Sequence, residues 1–444
     1  MAAKLREAEG SGKPAAESAA GGALALLSAR RFWPLFWTQF LSAFNDSALK
    51  NALVLIVAYR ASTGGALSAE IVIPLAGGLF ILPFFLCSAT AGQIADQRDK
   101  AWLIRLIKLV EIPVMLVTAA FVLMGSVAAL LALLTIMGVE AAFFGPLKYA
   151  ILPDLLSPHE LLLGNALVEA GTFLAILLGT IAGVAVTLGE GPLTVALMLL
   201  AVSLLAYAAS RKIPPTGAAA ARSRIGWNLF AATAAIIREA RADKAPFRAI
   251  LGISWFWLAG ATYLSQFPAY VRFTLGSEAA VVTLFLTVFS VGIALGSLLC
   301  NRLLRGRVSP RTVPWGALGI GLFSIDLWLA SPAPAAGAHL APLLAFLAMP
   351  THWRILADLL GLSISGGVFI LPLYVLLQTL TAREHRARAI GANNVVNAAA
   401  MVVSALATMA LLAAGLSVPG LFLLTGVATI AVGAWFRRLL PLFG

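Results

Sequence analysis

Apolar residues in this chain collect into twelve long segments that short polar stretches separate. Each segment holds about 20 residues, the length that a helix needs to cross the hydrocarbon core of a bilayer. The pattern therefore predicts an all-α polytopic membrane protein with twelve transmembrane helices. The predicted spans lie near 33–59, 71–95, 101–123, 127–145, 162–188, 192–209, 248–271, 280–301, 313–331, 355–380, 389–413 and 416–436.

One stretch between the ninth and tenth spans breaks this pattern. Four prolines, Pro332, Pro334, Pro342 and Pro350, frame a short apolar run between residues 331 and 354. Proline ends or kinks helices because it lacks a backbone donor. We expect a loop here that carries an interfacial or re-entrant helix.

Composition supports a membrane location. Hydrophobic residues make up 61% of the chain, charged residues only 11%, and the mean hydropathy is +0.95, whereas soluble domains carry about 25% charged residues. Cys87 and Cys300 both fall inside predicted spans, so neither a disulfide framework nor a metal site is indicated. The histidines lack ligand spacing, and no catalytic motif or cofactor site is visible.

The basic residues predict the orientation of the chain. All but four of the 31 Lys and Arg residues fall in segments on one side of the predicted spans or in the adjoining part of a span. The exceptions are Lys50, Arg60, Arg272 and Arg354. Loops rich in Lys and Arg remain in the cytoplasm, so we expect both termini to be cytoplasmic. The net charge of +12 then reflects topology and contact with anionic lipids, and nucleic-acid binding is not predicted.

An internal repeat predicts two halves. The segment 143–170 aligns with 369–398: Pro146 matches Pro372 and His159 matches His385 at one offset, and Gly164 matches Gly391 after one inserted residue. Chance similarity of two apolar helices is the alternative, but the alignment includes polar loop positions. Two six-helix halves joined by a basic loop are typical of duplicated transporters, whose cavity lies between the halves. The predicted organisation is a disordered cytoplasmic tail (1–30), an N-terminal half (31–210), a cytoplasmic basic linker (211–247) and a C-terminal half (248–444).

The first span carries a carboxylate and an ammonium group inside an otherwise apolar segment. Asp46 and Lys50 are four residues apart and share one helix face with Gln39 and Ser42, so we predict an intramembrane ion pair. Charged residues near a bilayer centre cost roughly 3 kcal/mol each and usually line a polar pathway. This helix is therefore predicted to form one wall of a substrate pathway.

Further polar positions extend the predicted pathway to other spans. Glu169 either binds a head group or proton, or hydrogen-bonds a neighbouring helix. The C-terminal half contributes amides and aromatic side chains, such as Tyr263 beside Gln266, although aromatic faces more often indicate packing. The predicted substrate-binding residues are Gln39, Asn45, Asp46, Lys50, Asn165, Glu169, Gln266, Tyr374, Gln378 and Asn397.

Small residues and paired charges give more structural predictions. A stripe of Gly171, Ala175, Gly179 and Gly183 at a spacing of four predicts close helix packing. Lys108 and Glu111, three residues apart in the third span, are expected to satisfy each other's charge in a mainly structural role.

The run GQIADQRDK resembles the loop motif G-x-L-A-D-R-x-G-R-K of the major facilitator superfamily through Gly92, Asp96 and Lys100, and departs from it at Gln97 and Asp99. Glycine there would permit close helix approach, and Asp96 would cap a neighbouring helix until the halves rock apart. The alternative is that these charges only set topology. Glu140 and Lys148 either gate or anchor the next helix. The predicted gating residues are Gly92, Asp96, Lys100, Glu140 and Lys148.

Three longer runs resemble the lysophospholipid transporter family. They are QFLSAFND with KN at 39–51, FFGPLKYAILPDLL at 143–156 and ELLLGNALVEAGTFLAILLGTIAG at 160–183. The family also occurs as the membrane part of bifunctional acyltransferase/acyl-carrier-protein synthetases. Ser47 stands where the family commonly has Asn. No acyltransferase H-x4-D pattern follows His385, so we expect a transporter and not an enzyme.

The resemblance implies inward flipping of lysophospholipids, chiefly lysophosphatidylethanolamine, across a bacterial inner membrane. The implied partners are the lysophospholipid substrate and membrane lipids, and docking of an acyltransferase on the linker is left open. Two other functions stay open as well: a proton-coupled small-solute or drug transporter, and a membrane scaffold for an acyltransferase that transports nothing.

Overall fold

The structure is a computed structural model that describes residues 15–62, 69–189, 191–220, 225–333 and 340–439. Within these ranges it is built from helices. In chain order they are α1 (Ala15–Ser28), α2 (Trp33–Ser62), α3 (Ala69–Gln97), α4 (Lys100–Met124), α5 (Val127–Ala150), α6 (Leu152–Leu155), α7 (Leu161–Gly189), α8 (Pro192–Ser210), α9 (Leu229–Ala242), α10 (Lys244–Ala269), α11 (Ala279–Leu304), α12 (Val313–Ala330), α13 (Leu343–Ala348), α14 (Pro350–Leu380), α15 (Arg386–Ala413) and α16 (Val418–Leu439).

The twelve long helices coincide with the predicted spans. Among the described residues, ten helices are long and apolar enough to cross a membrane. The other two, α2 and α10, have 30 and 26 residues but are more polar. The all-α multispan prediction is therefore confirmed. The proline-framed run also forms a short helix, α13, between α12 and α14.

The helices pair in the same way twice along the chain. In the first half α2 packs on α7, α3 on α5, and α4 on α8. In the second half α10 packs on α15, α11 on α14, and α12 on α16. Counted as spans, the first-half pairs are 1 with 5, 2 with 4 and 3 with 6, and the second half repeats this order. A duplicated sequence would fold this way, because equivalent apolar faces select equivalent neighbours.

The two halves meet along a seam between α3 and α15 and between α7 and α11. We call the end of the bundle at which α3 ends and α15 begins the basic end. Ala89, Ala95, Ala387 and Ile390 are buried near this end of α3 and α15. The same helices are exposed towards their other ends, at Leu75, Leu82, Val402, Val403, Leu406 and Met409. The part of the seam between α3 and α15 is therefore packed at the basic end.

The small-residue stripe on α7 faces α2. A Cβ atom at Gly179 would lie 2.3 Å from the Phe44 carbonyl oxygen, and one at Gly183 would lie 2.4 Å from the Ala48 carbonyl oxygen. Such distances are below van der Waals contact, so only glycine lets the two backbones approach this closely. The predicted close packing is confirmed, and it fixes the position of the charged helix α2 in its half.

The sequence predicted a disordered tail over residues 1–30, but part of this tail is helical in the structure. Residues 15–28 form the helix α1, while residues 1–14 lie outside the described ranges. The segment is rich in alanine, the strongest helix former, and its Leu26 side chain is buried. This apolar contact orders a stretch that composition alone assigned to disorder.

The linker, predicted only as a basic cytoplasmic segment, contains a helix. Its described part includes α9, which packs on α3 and α15, and α10 begins one residue after α9 ends. One side of α9 is buried at Ala232, Thr233 and Ile236, whereas Ala231 and Ala234 are exposed. An amphipathic helix of this kind gains its stability from docking, which local sequence does not reveal.

Candidate functional site

A buried cluster of charged side chains lies within the N-terminal half. Lys108 Nζ on α4 donates to Glu111 Oε2 at 2.7 Å and also to the carboxylate of Glu140 on α5. Asn45 on α2 donates to Glu111 Oε1 at 3.0 Å. The Lys108 ammonium lies 4.7 Å from the centroid of the Phe144 ring. The cluster therefore links α2, α4 and α5 through Lys108 and Glu111. Within the described ranges, no set of His, Cys, Asp and Glu side chains is arranged to hold a metal ion.

The predicted ion pair between Asp46 and Lys50 is wrong. In the part of the chain that the structure describes, no salt bridge joins their side chains; Asp46 is half-buried and Lys50 is exposed. Asp46 lies within electrostatic reach of Lys50, Lys108 and Lys148. A shared helix face allows contact at a spacing of four but does not require it, because the long lysine side chain has other rotamers. Both charges are thus free to meet a ligand.

Glu169 and Gln39 lie close to this cluster on α7 and α2. Glu169 is buried and accepts a hydrogen bond from the Tyr149 hydroxyl of α5, which is the helix-to-helix contact that the sequence left open. Lys148 Nζ lies 4.9 Å from the Tyr149 ring centroid. Gln39 Oε1 accepts a hydrogen bond from Thr172 at 2.8 Å, whereas Gln39 Nε2 is buried with no partner among the described residues.

One aromatic stack and one pair of hydrogen bonds connect the halves. Tyr149 stacks on Tyr374 of α14 with ring centroids 4.5 Å apart, and Trp257 of α10 donates to the Tyr374 hydroxyl at 3.0 Å. Asn165 of α7 and Gln378 of α14 exchange two hydrogen bonds of 2.8 Å. Three predicted binding residues, Asn165, Tyr374 and Gln378, are therefore engaged across the seam in this conformation.

The other predicted residues of the C-terminal half lie further from the charges. Asn397 accepts a hydrogen bond from Ser254 at 2.7 Å within its own half. The Gln266 amide contacts only the adjacent Ser265 hydroxyl, at 3.4 Å, among the described residues. Tyr263 is buried and bonds to α12 instead of facing the seam. The structure thus does not bring Gln266 to the cluster, and the aromatic face here is packing.

At the basic end, Asp96 at the end of α3 caps the start of α15. Its carboxylate accepts from the backbone N–H groups of Ala387 at 2.9 Å and Arg388 at 3.2 Å, and from Arg388 Nε at 3.2 Å. A Cβ atom at Gly92 would lie 2.8 Å from the Ala387 carbonyl oxygen. The motif residues therefore fasten one half to the helix amino terminus of the other.

A second contact set at the basic end centres on Asp154 of α6. The buried Lys100 donates to Asp154 Oδ2 at 2.9 Å within the N-terminal half. From the C-terminal half, Arg383 lies 3.2 Å and Arg386 3.8 Å from Asp154 Oδ1. Lys100 thus acts across the seam through Asp154, which both halves share.

Glu140 and Lys148 lie apart from these basic-end contacts. Glu140 stands ten residues before the end of α5, about 15 Å from it along the helix, and it belongs to the charge cluster with Lys108. Lys148 is near the end of α5, where its ammonium faces the Tyr149 ring. The structure therefore groups Glu140 with the candidate binding residues and not with Asp96.

Asp99, where the sequence departs from the superfamily motif, anchors the linker. Its carboxylate caps α4 by accepting from Trp102 N at 2.7 Å, and it also accepts from Thr216 N at 2.8 Å and Gly217 N at 2.6 Å. Partial burial raises the pKa of Asp99, but the hydrogen bonds from these N–H groups have a larger, opposite effect. The pKa of Asp99 therefore lies below its usual range. Unlike Asp96, this carboxylate bonds to α4 and the linker alone among the residues that the structure describes.

Sequence reasoning missed several residues of this arrangement. Asp154 and Tyr149 both lie in the run FFGPLKYAILPDLL, which carried only a family resemblance. Trp257 gave no signal, because a tryptophan in a span is ordinarily a packing residue. Asp326 of α12 is another such residue, because it pairs with the Arg354 side chain.

Comparison with known proteins identifies relatives of this chain. A sequence profile described as Major Facilitator Superfamily matches residues 35–353. A protein named lysophospholipid transporter LplT from Photorhabdus laumondii is 29% identical over 354 residues, which covers 77% of this chain and 78% of that protein. A protein of the same name from Escherichia coli O1:K1 / APEC is 28% identical over 415 residues, 91% of each chain.

Solved structures show the same fold. A bacterial homologue of the iron transporter ferroportin, in an outward-facing state, superposes with a TM-score of 0.69 at 15% identity, over 92% of this chain and 99% of that one. The proton:xylose symporter XylE gives a TM-score of 0.67 at 12% identity, over 93% and 96%. At these identities the likeness concerns the fold alone.

Proposed function

Because this chain belongs to the major facilitator superfamily, a family of transporters, we propose that it moves lysophospholipids between the leaflets of a bacterial inner membrane. The observation that carries the proposal is the unpaired state of Asp46 and Lys50 beside the buried cluster. A separated carboxylate and ammonium complement a zwitterionic head group. The relatives named lysophospholipid transporters support this cargo class.

In the proposed binding mode the head group lies against the N-terminal half. Asp46 would receive the cargo's ammonium group, while Lys50 and Lys148 would receive its phosphate. Tyr374 and Gln378 of the facing half would complete the site once the seam opens. The surrounding polar atoms include the unpartnered Gln39 Nε2, a donor suited to a phosphate or glycerol oxygen.

The acyl chain dictates the shape of the pathway. Each CH2 group moved from apolar surroundings into water costs about 0.8 kcal/mol, so the chain should stay in lipid or on apolar residues throughout. The cavity would therefore open sideways to the bilayer. Movement from the outer to the inner leaflet would follow from rocking of the two halves, in which the contacts of Gly92, Asp96 and Asp154 break and re-form.

Proteoliposomes test the cargo. We expect uptake of lysophosphatidylethanolamine, poor uptake of its diacyl parent because of the second chain, and none of glycerophosphoethanolamine. Equal movement of the chainless head group would contradict the proposal and favour a small-solute transporter. The buried Glu169 and the partly buried Glu140 give that alternative a physical basis, since carboxylates in spans carry protons in coupled transporters. Each assay is therefore run with and without a proton gradient. No movement by folded protein would favour the scaffold.

Orientation is tested separately by cysteine labelling. We propose that the basic end faces the cytoplasm, where anionic lipids and the positive-inside rule retain it. A cysteine in place of the exposed Arg98 should react only with membrane-permeant reagents. One in place of Leu188, exposed at the opposite end of α7, should react from outside, and the reverse labelling would contradict this orientation.

A further inference from the structure

The linker helix α9 lies across the seam between the halves. On the N-terminal side, Gly226 N donates to Gln93 Oε1 at 2.9 Å, and Thr90 donates to the Gly226 carbonyl at 3.1 Å. On the C-terminal side, Glu239 lies 3.3 Å from Arg388 and 2.8 Å from His385. The chain therefore bonds to α3 just before α9 begins. Near the end of α9 it bonds to residues around the start of α15.

The start of α9 reaches well below the basic end of the bundle. Thr233 donates to the Phe85 carbonyl of α3 at 3.4 Å. Phe85 stands twelve residues before the end of α3, about 18 Å along the helix. Phe85 and Leu82 are themselves exposed on a helix long and apolar enough to cross a membrane. The amino-terminal turns of α9 thus lie beside the lipid-facing surface of a spanning helix.

The outer side of this segment has the polarity of an interfacial helix. Trp227 and Phe230 are 73% and 72% exposed, although both are large apolar side chains. Arg238 and Arg241, exposed towards the other end of α9, are cations suited to anionic head groups. Other exposed tryptophans occur at this end of the bundle, at Trp102, Trp315 and Trp435. Aromatic side chains concentrate at the level of the lipid head groups.

We propose that α9 is a membrane-seated latch: Trp227 and Phe230 hold its start in the lipid interface, and Glu239 fastens its end across the seam. The latch covers the side of the seam between α3 and α15. A cavity of about 350 Å³ lies beneath it, lined by residues that include Gln93, Asn228 and Arg388. This segment is bonded to α3 of one half and to Arg388 of the other. Separation of the halves must therefore break its bonds to one of them.

Lipid contact is tested by fluorescence quenching in vesicles. In a background with Cys87→Ala and Cys300→Ser, Phe230→Cys or Trp227→Cys is labelled with bimane. We expect strong quenching by spin-labelled phospholipid and weak quenching by iodide. The matched control, Arg241→Cys on the same helix, should show the opposite order. Iodide quenching at Phe230 equal to that at Arg241 would overturn the lipid contact and indicate a surface for a protein partner.

Fastening is tested without any cargo, so its outcome is separate from that of the proposed transport. Spin labels at Arg98→Cys and Arg437→Cys report the distance between the halves at the basic end. In an Asp96→Asn background, Glu239→Gln should raise the population at longer distance by up to about fivefold, the size expected for exposed ion pairs. Arg241→Gln, also on α9, is the matched control. No increase with Glu239→Gln, or an equal increase with the control, would overturn the latch.

Discussion

Replacement of Asp96 by Asn is the most direct test of how the closed basic end is held. The substitution keeps the size of the side chain and one acceptor oxygen, so the backbone N–H of Ala387 or Arg388 retains a partner. It removes the negative charge and the second acceptor oxygen. In the unsubstituted protein that oxygen accepts hydrogen bonds from the backbone N–H and the guanidinium of Arg388. The seam between α3 and α15 should therefore weaken without a change in packing volume.

The expected magnitude follows from these contacts. A hydrogen bond to a charged group contributes about 1.5–3 kcal/mol. The side-chain oxygen of the new asparagine still accepts one hydrogen bond, which offsets part of this loss. We expect the state with the basic end closed to lose about 2 kcal/mol relative to the open state, in which Asp96 no longer meets α15. This difference corresponds to a change of about 30-fold in the ratio of the two states.

Distance measurements between spin labels at Arg98→Cys and Arg437→Cys would report this ratio. Asp96→Asn should add a population at longer distance. The matched control is Asp99→Asn, because Asp99 lies three residues away but contacts only α4 and the linker. An unchanged distance distribution in Asp96→Asn, or the same shift in both variants, would refute the reasoning that the cap on α15 holds the seam.

Four other substitutions separate transport, folding and closure. Asp46→Asn and Lys50→Gln should each strongly reduce transport at near-normal membrane abundance, since each removes an unpaired charge and opens no cavity; full-rate transport by both would contradict the proposed site. Lys108→Met should instead lower the free energy of unfolding by about 3–5 kcal/mol, because the Glu111 and Glu140 carboxylates lose their cation. An unchanged melting temperature would contradict this. Gly92→Ala should hinder closure at the basic end, as seen in the same distance assay, whereas Gly78→Ala on the same helix meets no atom within 4 Å and should have no effect.

Local signals account for most of the correct sequence predictions. Apolar length defines a span, and the structure places long helices at each predicted segment, with α13 in the proline-framed gap. The glycine stripe on α7 predicted a close helix contact, because a missing side chain constrains any neighbour. The helices α1 in the tail and α9 in the linker were not predicted, since they are stabilised by docking that composition does not encode.

The candidate site was only partly accessible to the same reasoning. The residue types were found, but not their partners: Asp46 and Lys50 share a face without pairing, and Glu140 lies with Lys108 instead of at the gate. A helix face shows which side chains point in one direction. It does not show what stands opposite, because that depends on how two separate helices are rotated against each other.

The sequence by itself determined the class of protein, its spans, its repeat and the polar residues that could bind a ligand. It could do so because hydrophobic length, charge asymmetry and spacing are properties of neighbouring positions. What only the tertiary structure decided was which of them meet. Asn165 and Gln378 are 213 positions apart, and Asp96 and Ala387 are 291 apart. Contacts over such separations form only when two packed halves bring their helix ends together, so their partners are set by the geometry of the seam.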